Sequence, residues 1–156
     1  MVVVCMNENT EGVEILLIED NPHDVELILH VFRWCNLPGK VLVIWDGEEA
    51  LDYLFGRGRY AGRNLEKKPK VILLDMKLPK VDGIEVLKRI KGDPGLLTVP
   101  VVMLTSSNQE RDIAESYRLG VNSYIVKPVD FEEFADVIRE MAMYWHLINQ
   151  PPQERS

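Results

Sequence analysis

The sequence predicts an α/β domain in which helices cover both faces of a parallel, doubly wound sheet, and three observations predict it. Short runs rich in Val, Ile and Leu recur five times along the 156 residues. Each is followed by a stretch with apolar residues at helical spacing. Each ends on polar side chains: in order Glu19 and Asp20, Asp46, Asp75, Thr105 and Lys127. Continuous rather than alternating apolar runs are what strands buried on both faces require. Sheets of this kind bind ligands at the carboxyl ends of their strands, so those polar residues mark the candidate site.

Val13 to Ile18 makes the first strand, and Glu19-Asp20-Asn21-Pro22 ends it in a turn. Asn21 suits a helix N-cap, and Pro22 the first helical position, where a missing N–H costs nothing. Val25, Ile28, Leu29 and Phe32 then share one helical face. Val41 to Ile44 is the second strand, and after Asp46-Gly47 the stripe Ala50, Leu51, Leu54 and Phe55 predicts a second helix. Val71 to Leu74 ends at Asp75, and Ile84, Leu87 and Ile90 carry a third helix beyond the loop from Pro79 to Gly83. Val101 to Leu104 ends at Thr105, with Ile113, Ala114 and Tyr117 helical beyond it. Tyr124 to Val126 ends at Lys127-Pro128, before a last helix striped by Phe131, Phe134, Ile138, Met141, Trp145 and Ile148. The domain is therefore expected over 12–148, with an N-terminal extension over 1–11 and a tail over 149–156.

The chain has the size of one domain, and with 46% apolar and 28% charged residues it has the composition of a folded one. A net charge of −7 repels phosphate backbones and anionic lipid, which argues against nucleic acid or a membrane as partner. Cys5 and Cys35 form no framework, so reduced thiols in a cytoplasmic protein are expected. Val2 to Val4 is too short for a signal segment, and no apolar stretch approaches the ~18 residues of a membrane span.

Glu19, Asp20 and Asp75 brought together would repel one another unless a cation neutralised them. Mg2+ prefers such oxygen ligands and keeps several waters, leaving room for a phosphate oxygen. A carboxylate can also attack phosphorus to give an acyl phosphate, with an ammonium group offsetting charge on the phosphoryl oxygens. Asp75 and Lys127 can divide the work in this way, and Thr105 supplies a hydroxyl donor.

Glu19-Asp20-Asn21-Pro22, Leu73-Leu74-Asp75-Met76 with Leu78-Pro79 and Asp82-Gly83, Leu104-Thr105-Ser106, and Lys127-Pro128 occur in this order at strand ends. Together they resemble the receiver domain of two-component response regulators. The resemblance implies a flavodoxin-like sheet in strand order 2-1-3-4-5 with five helices. It implies that Asp75 accepts a phosphoryl group from a sensor histidine kinase or phosphotransfer protein. Mg2+ would be held by Glu19, Asp20, Asp75 and the backbone carbonyl of Lys77, and Thr105 and Lys127 would bind phosphoryl oxygens. A shift of Thr105 would be coupled to Tyr124, and the Lys127-Pro128 peptide would be cis. The implied protein is a stand-alone cytoplasmic switch, not an enzyme, whose output is partner binding or a change of oligomeric state. Two alternatives remain: a receiver-fold scaffold that needs no phosphorylation, and an aspartyl-phosphate hydrolase, which Lys77 opposes by standing where such enzymes carry an acid/base Asp.

Other features bear on partners. The segment from Gly56 to Lys70 carries Arg57, Arg59, Arg63, Lys67, Lys68 and Lys70 against Glu66, and reads as a solvated basic loop or a docking patch for an acidic surface. Its glycines have the wrong spacing and setting for a dinucleotide fingerprint. His23, His30 and His146 read as surface or core-edge residues, since nothing pairs them for a metal. Lys77 and Ser107 flank the expected water route to the acyl phosphate, where Lys77 would slow hydrolysis and Ser106 leaves room. Met141, Tyr144, Trp145 and Ile148 make the end of the last helix a candidate homodimer surface. The basic loop and the Trp-bearing last helix also resemble the single-domain regulators associated with bacterial phytochromes.

Overall fold

The computed structural model describes residues 2–5 and 10–152. Strands β1 (Val2–Cys5), β2 (Val13–Ile18), β3 (Gly39–Ile44), β4 (Val71–Leu74), β5 (Val101–Thr105) and β6 (Ser123–Val126) form one sheet in the order β1-β3-β2-β4-β5-β6. Every neighbouring pair is parallel. Helices α1 (Pro22–Trp34), α2 (Gly47–Phe55), α3 (Gly83–Lys91), α4 (Glu110–Arg118) and α5 (Phe131–Ala142) each follow a strand. Without β1 the strand order is the expected one. β1 comes from the N-terminal extension and pairs with β3 from Val2 opposite Gly39 to Cys5 opposite Leu42. The extension thus joins the sheet at the edge that β3 would otherwise leave bare.

Alternation along the strands divides the core in two. Leu16, Ile18, Leu42, Ile44, Ile72 and Leu74 pack against α2 and α3, through residues such as Leu51, Leu54, Val86 and Leu87. Ile15, Leu17, Val41, Val43, Leu73 and Val102 pack on the other face against α1 and α5, through Ile28, Phe32, Phe134 and Ile138. The start of α1 is fixed as expected: the Asn21 side chain accepts hydrogen bonds from the N–H groups of His23 and Asp24 at 2.9 and 3.3 Å.

Three expectations need correction. The apolar stripe expected on α4 stays largely outside the core: Ala114 is exposed, Tyr117 is 52% exposed, and Ser116 is the buried residue of this helix. The Ser116 hydroxyl donates to the Asp112 carbonyl at 2.8 Å, which lets a small polar residue face the sheet. The last helix does not run at one pitch to Ile148. Over Met143–Ile148 it widens into a π-helix, with the Asn149 N–H donating to the Tyr144 carbonyl at 2.7 Å. Met141 and Ala142 are buried at the end of the regular helix; in the wider turn His146 is buried, Trp145 packs partly against the core, and Tyr144, Leu147 and Ile148 are exposed. Finally, the Lys127–Pro128 peptide is not cis, and no cis peptide occurs among the described residues. An X–Pro bond favours trans by about 0.5–1 kcal/mol.

The basic segment after α2 is tied to the domain at several points, while Arg57, Arg59 and Lys67 keep about half of their side-chain surface exposed. The Arg63 guanidinium lies 4.1 Å from the Tyr53 ring centre, and its Nε donates to the Tyr53 carbonyl at 2.8 Å. Arg59 pairs with Glu49 at 2.9 Å, Arg57 with Asp52 at 3.6 Å, Lys67 with Glu11 at 3.7 Å and Lys70 with Glu14 at 3.9 Å. Tyr60 is buried against Tyr53 and donates its hydroxyl to Glu49 at 2.7 Å. The segment is a strap tied to the carbonyl end of α2, where orphan carbonyls need donors. No helix among the described residues is long and apolar enough to cross a membrane.

Candidate functional site

The carboxyl ends of β2, β4, β5 and β6 converge. Glu19 follows β2 and is buried; Asp20 beside it is exposed; Asp75 follows β4 and is 8% exposed. One carboxylate oxygen from each lies within 4.8 Å of the others. An all-oxygen set this tight fits a hard divalent cation. The loop after β4 folds back over the site because position 83 is glycine: a Cβ there would come within 2.1 Å of the Asp75 carbonyl oxygen. Lys77 places its main chain against the Asp75 carboxylate, its N–H 3.4 Å from Oδ1, while its side chain is exposed.

Lys127 reaches in from the end of β6, its backbone N–H fixed on the Thr105 carbonyl at 2.8 Å. Its ammonium donates to Glu19 Oε2 at 2.6 Å, Asp24 Oδ2 at 2.8 Å and Asp75 Oδ2 at 3.0 Å. Burial and the neighbouring Asp75 charge push the Glu19 carboxyl up to about 8, with Lys127 opposing. For Lys127, burial alone would lower the value, but Glu19, the Asp24 bond and Asp75 hold the amine above its ordinary range. The site thus carries excess negative charge that a cation would relieve.

Thr105 is fully buried at the end of β5. Its Oγ1 lies 3.4 Å from the Ser107 N–H, the Tyr124 hydroxyl donates to the Ser107 carbonyl at 2.9 Å, and Ser107 Oγ donates to Asp112 at 2.5 Å. Ser107 therefore links Thr105, Tyr124 and the first turn of α4. Burial raises the Tyr124 phenol above its usual value.

The expected residues Glu19, Asp20, Asp75 and Lys127 come together, Thr105 is joined to Lys127 through its main-chain carbonyl, and Tyr124 reaches the Ser107 loop beyond it. Asp24 was missed: an acid in the first turn of a helix complements the helix dipole and needs no other reason to be there. Its spacing from Asn21, one turn beyond the strand end, was the available signal. Among the histidines, His23 and His30 are exposed, whereas His146 is buried with Nε2 2.6 Å from the Pro38 carbonyl. Of the candidate interface residues, Tyr144 and Ile148 are exposed beside Met143 and Leu147, Trp145 is half-buried, and Met141 belongs to the core.

A family model described as the response regulator receiver domain matches residues 15–139. The probable methanogenesis regulatory protein FilR2 of Methanothrix harundinacea is 42% identical over 139 residues, 88% of this chain and 86% of that protein. Response regulator Rcp1 of Synechocystis sp. is 36% identical over 131 residues, 84% of this chain and 87% of that one. The crystal structure of its Mn2+-bound form superimposes with a TM-score of 0.84 at 34% identity, covering 91% of this chain and 99% of the other. The phosphorylated cyanobacterial phytochrome response regulator RcpA gives a TM-score of 0.84 at 39% identity, with the same coverage.

Proposed function

The chain belongs to the receiver family of two-component response regulators, and from that premise we propose that Asp75 is its phosphoryl acceptor. The observation that carries this reading is the Lys127 ammonium, on a side chain 8% exposed, bonded to both Asp75 and Glu19. An oxygen of Asp75 attacks the phosphorus of a phosphohistidine on a sensor kinase or phosphotransfer protein. The new P–O bond forms as the P–N bond breaks, and the imidazole leaves with its electron pair. Lys127 and Thr105 would bind phosphoryl oxygens once the group is attached. Glu19, Asp20, Asp75 and the Lys77 backbone carbonyl would hold Mg2+, which supplies charge neutralisation when bound. The Mn2+-bound form of Rcp1 supports a divalent cation in a relative of this kind.

Response regulators are signalling proteins rather than enzymes of small-molecule turnover, so the product is a changed surface. Movement of the Thr105 hydroxyl toward the phosphoryl group would alter the Ser107 loop and Tyr124. The exposed side chains Tyr144 and Ile148, with Met143 and Leu147, are proposed to meet a second copy of the chain in the cytoplasm. Lys77 is proposed to slow phosphoryl loss from its place over the water route. The domain, set at 12–148, would act as a single unit.

Intact mass after incubation with acetyl phosphate tests the central claim. A gain of one phosphoryl group is expected in the wild type with Mg2+, and none without it or in Asp75→Asn. An unmodified wild type, with acetyl phosphate and with a phosphorylated kinase alike, would favour the phosphorylation-independent scaffold. Sedimentation of the wild type and Ile148→Asp, before and after phosphorylation, tests the dimer.

A further inference from the structure

Lys127 uses every donor it has. An ammonium carries three N–H groups, and here three carboxylates accept them: Glu19, Asp24 and Asp75. To bind a phosphoryl oxygen on Asp75, Lys127 must give up one of these bonds. The three acceptors are not equivalent. The Glu19 and Asp75 side chains are 2% and 10% exposed and belong to the oxygen cluster that fits a cation. The Asp24 side chain is 22% exposed and lies outside that cluster. Releasing a carboxylate costs least where water can solvate it. Asp24 also sits in the first turn of α1, where the helix N-terminus favours a negative charge with or without Lys127.

We propose that Asp24 is a positioning residue for phosphoryl transfer: it holds the Lys127 ammonium on the α1 side of the site and yields it to the phosphoryl group. The inference rests on reading Asp75 as the acceptor. It has two consequences. Before transfer, Asp24 draws Lys127 away from Glu19 and Asp75 and adds negative charge nearby, which favours a divalent cation. After transfer, Asp24 competes with the phosphoryl oxygens for the same ammonium, which shortens the phosphorylated state.

Asp24→Asn keeps the shape and removes the charge. Calorimetric titration with Mg2+ alone should show affinity lowered about three- to tenfold, the scale of one charge at a half-solvated distance. After loading with acetyl phosphate, loss of the phosphoryl group should slow severalfold. Asp24→Glu should move both quantities back toward the wild type. If Asp24 merely ties α1 to the loop after β6, Asp24→Asn lowers the melting temperature and moves neither quantity, and the proposal is overturned. A faster phosphoryl loss in Asp24→Asn overturns it as well. If the wild type takes no phosphoryl group, the assignment of Asp75 fails separately. Weakened Mg2+ binding in Asp24→Asn then still supports the hold on Lys127, and unchanged binding removes it.

Discussion

Beside Asp75, β4 is buried from Val71 to Leu74, and β2 is buried from Ile15 to Ile18. Across the site, β6 is half-buried with Val126 exposed, and α4 buries Ser116 alone. The two flanks therefore differ in how much apolar contact would be lost on local opening, which sets how readily each opens. Asp75, the proposed acceptor, and the proposed cation ligands stand on the tightly packed flank. Thr105, Ser107 and Tyr124 bridge to the loosely packed one. A site arranged in this way can hold charge in fixed geometry while the surface that answers remains free to shift.

Truncation of one large side chain on each flank tests this contrast. Phe32 is fully buried in α1, so Phe32→Ala should cost about 3–5 kcal/mol. Tyr117→Ala on α4 should fall within about 0.5 kcal/mol, as for other exposed positions. Urea denaturation of both variants measures the difference. Comparable losses would erase the distinction between the flanks.

The packed flank also stores electrostatic tension. Glu19 titrates near 8 in the folded protein against an ordinary 4.5, so the folded form binds this proton more tightly than the unfolded one. That contribution to stability is fully present below pH 4.5 and is lost as pH rises through about 8. Thermal unfolding of metal-free protein in chelator should show a melting temperature falling across that window. Asp75→Asn should flatten the fall, because Asp75 is the second cause of the shift. Added Mg2+ should offset the loss most at the alkaline end. A flat profile would mean that Glu19 is not held under tension.

The strap after α2 belongs to the packed flank by its bonds rather than by its sequence. Arg63→Ala removes donors to the Tyr53 and Leu54 carbonyls and the stacking on Tyr53. The expected cost is about 1–3 kcal/mol from those hydrogen bonds and the ring contact together. Phosphoryl transfer from a kinase should be little changed by Arg63→Ala, and a large loss of transfer would favour the strap as a docking patch.

What the sequence made legible follows the same division. Strands buried on both faces write continuous apolar runs, so β2 to β5 and the acids that end β2 and β4 were readable with no knowledge of contacts. β1 was not, because Val2 to Cys5 is a short run whose pairing is decided by β3, across a whole helical unit. Asp24 was hidden because a helix start explains an acid by itself. The burial of His146 depends on a π-turn, which a search at 3.6 residues per turn cannot see. Arg63 of the strap reads as solvated because the groups that bind it are main-chain carbonyls, which sequence patterns do not display.

The finest division between the flanks is one hydroxyl. Tyr124→Phe removes the bond to the Ser107 carbonyl and leaves the ring in place. Tyr124 is half-buried, so water can replace the lost donor, and the cost should lie near 0.5 kcal/mol, the low end for a hydrogen bond. Its structural effect should be local. Ser107 keeps its bonds to Thr105 and Asp112, but the loop they anchor loses its tie to β6. Amide hydrogen exchange in Tyr124→Phe should quicken from Ser107 through the first turn of α4, while the amides of β2 and β4 keep wild-type protection. Quickened exchange in β4 to the same degree would show that the two flanks open as one unit, and that the loose packing around α4 does not confer independent movement.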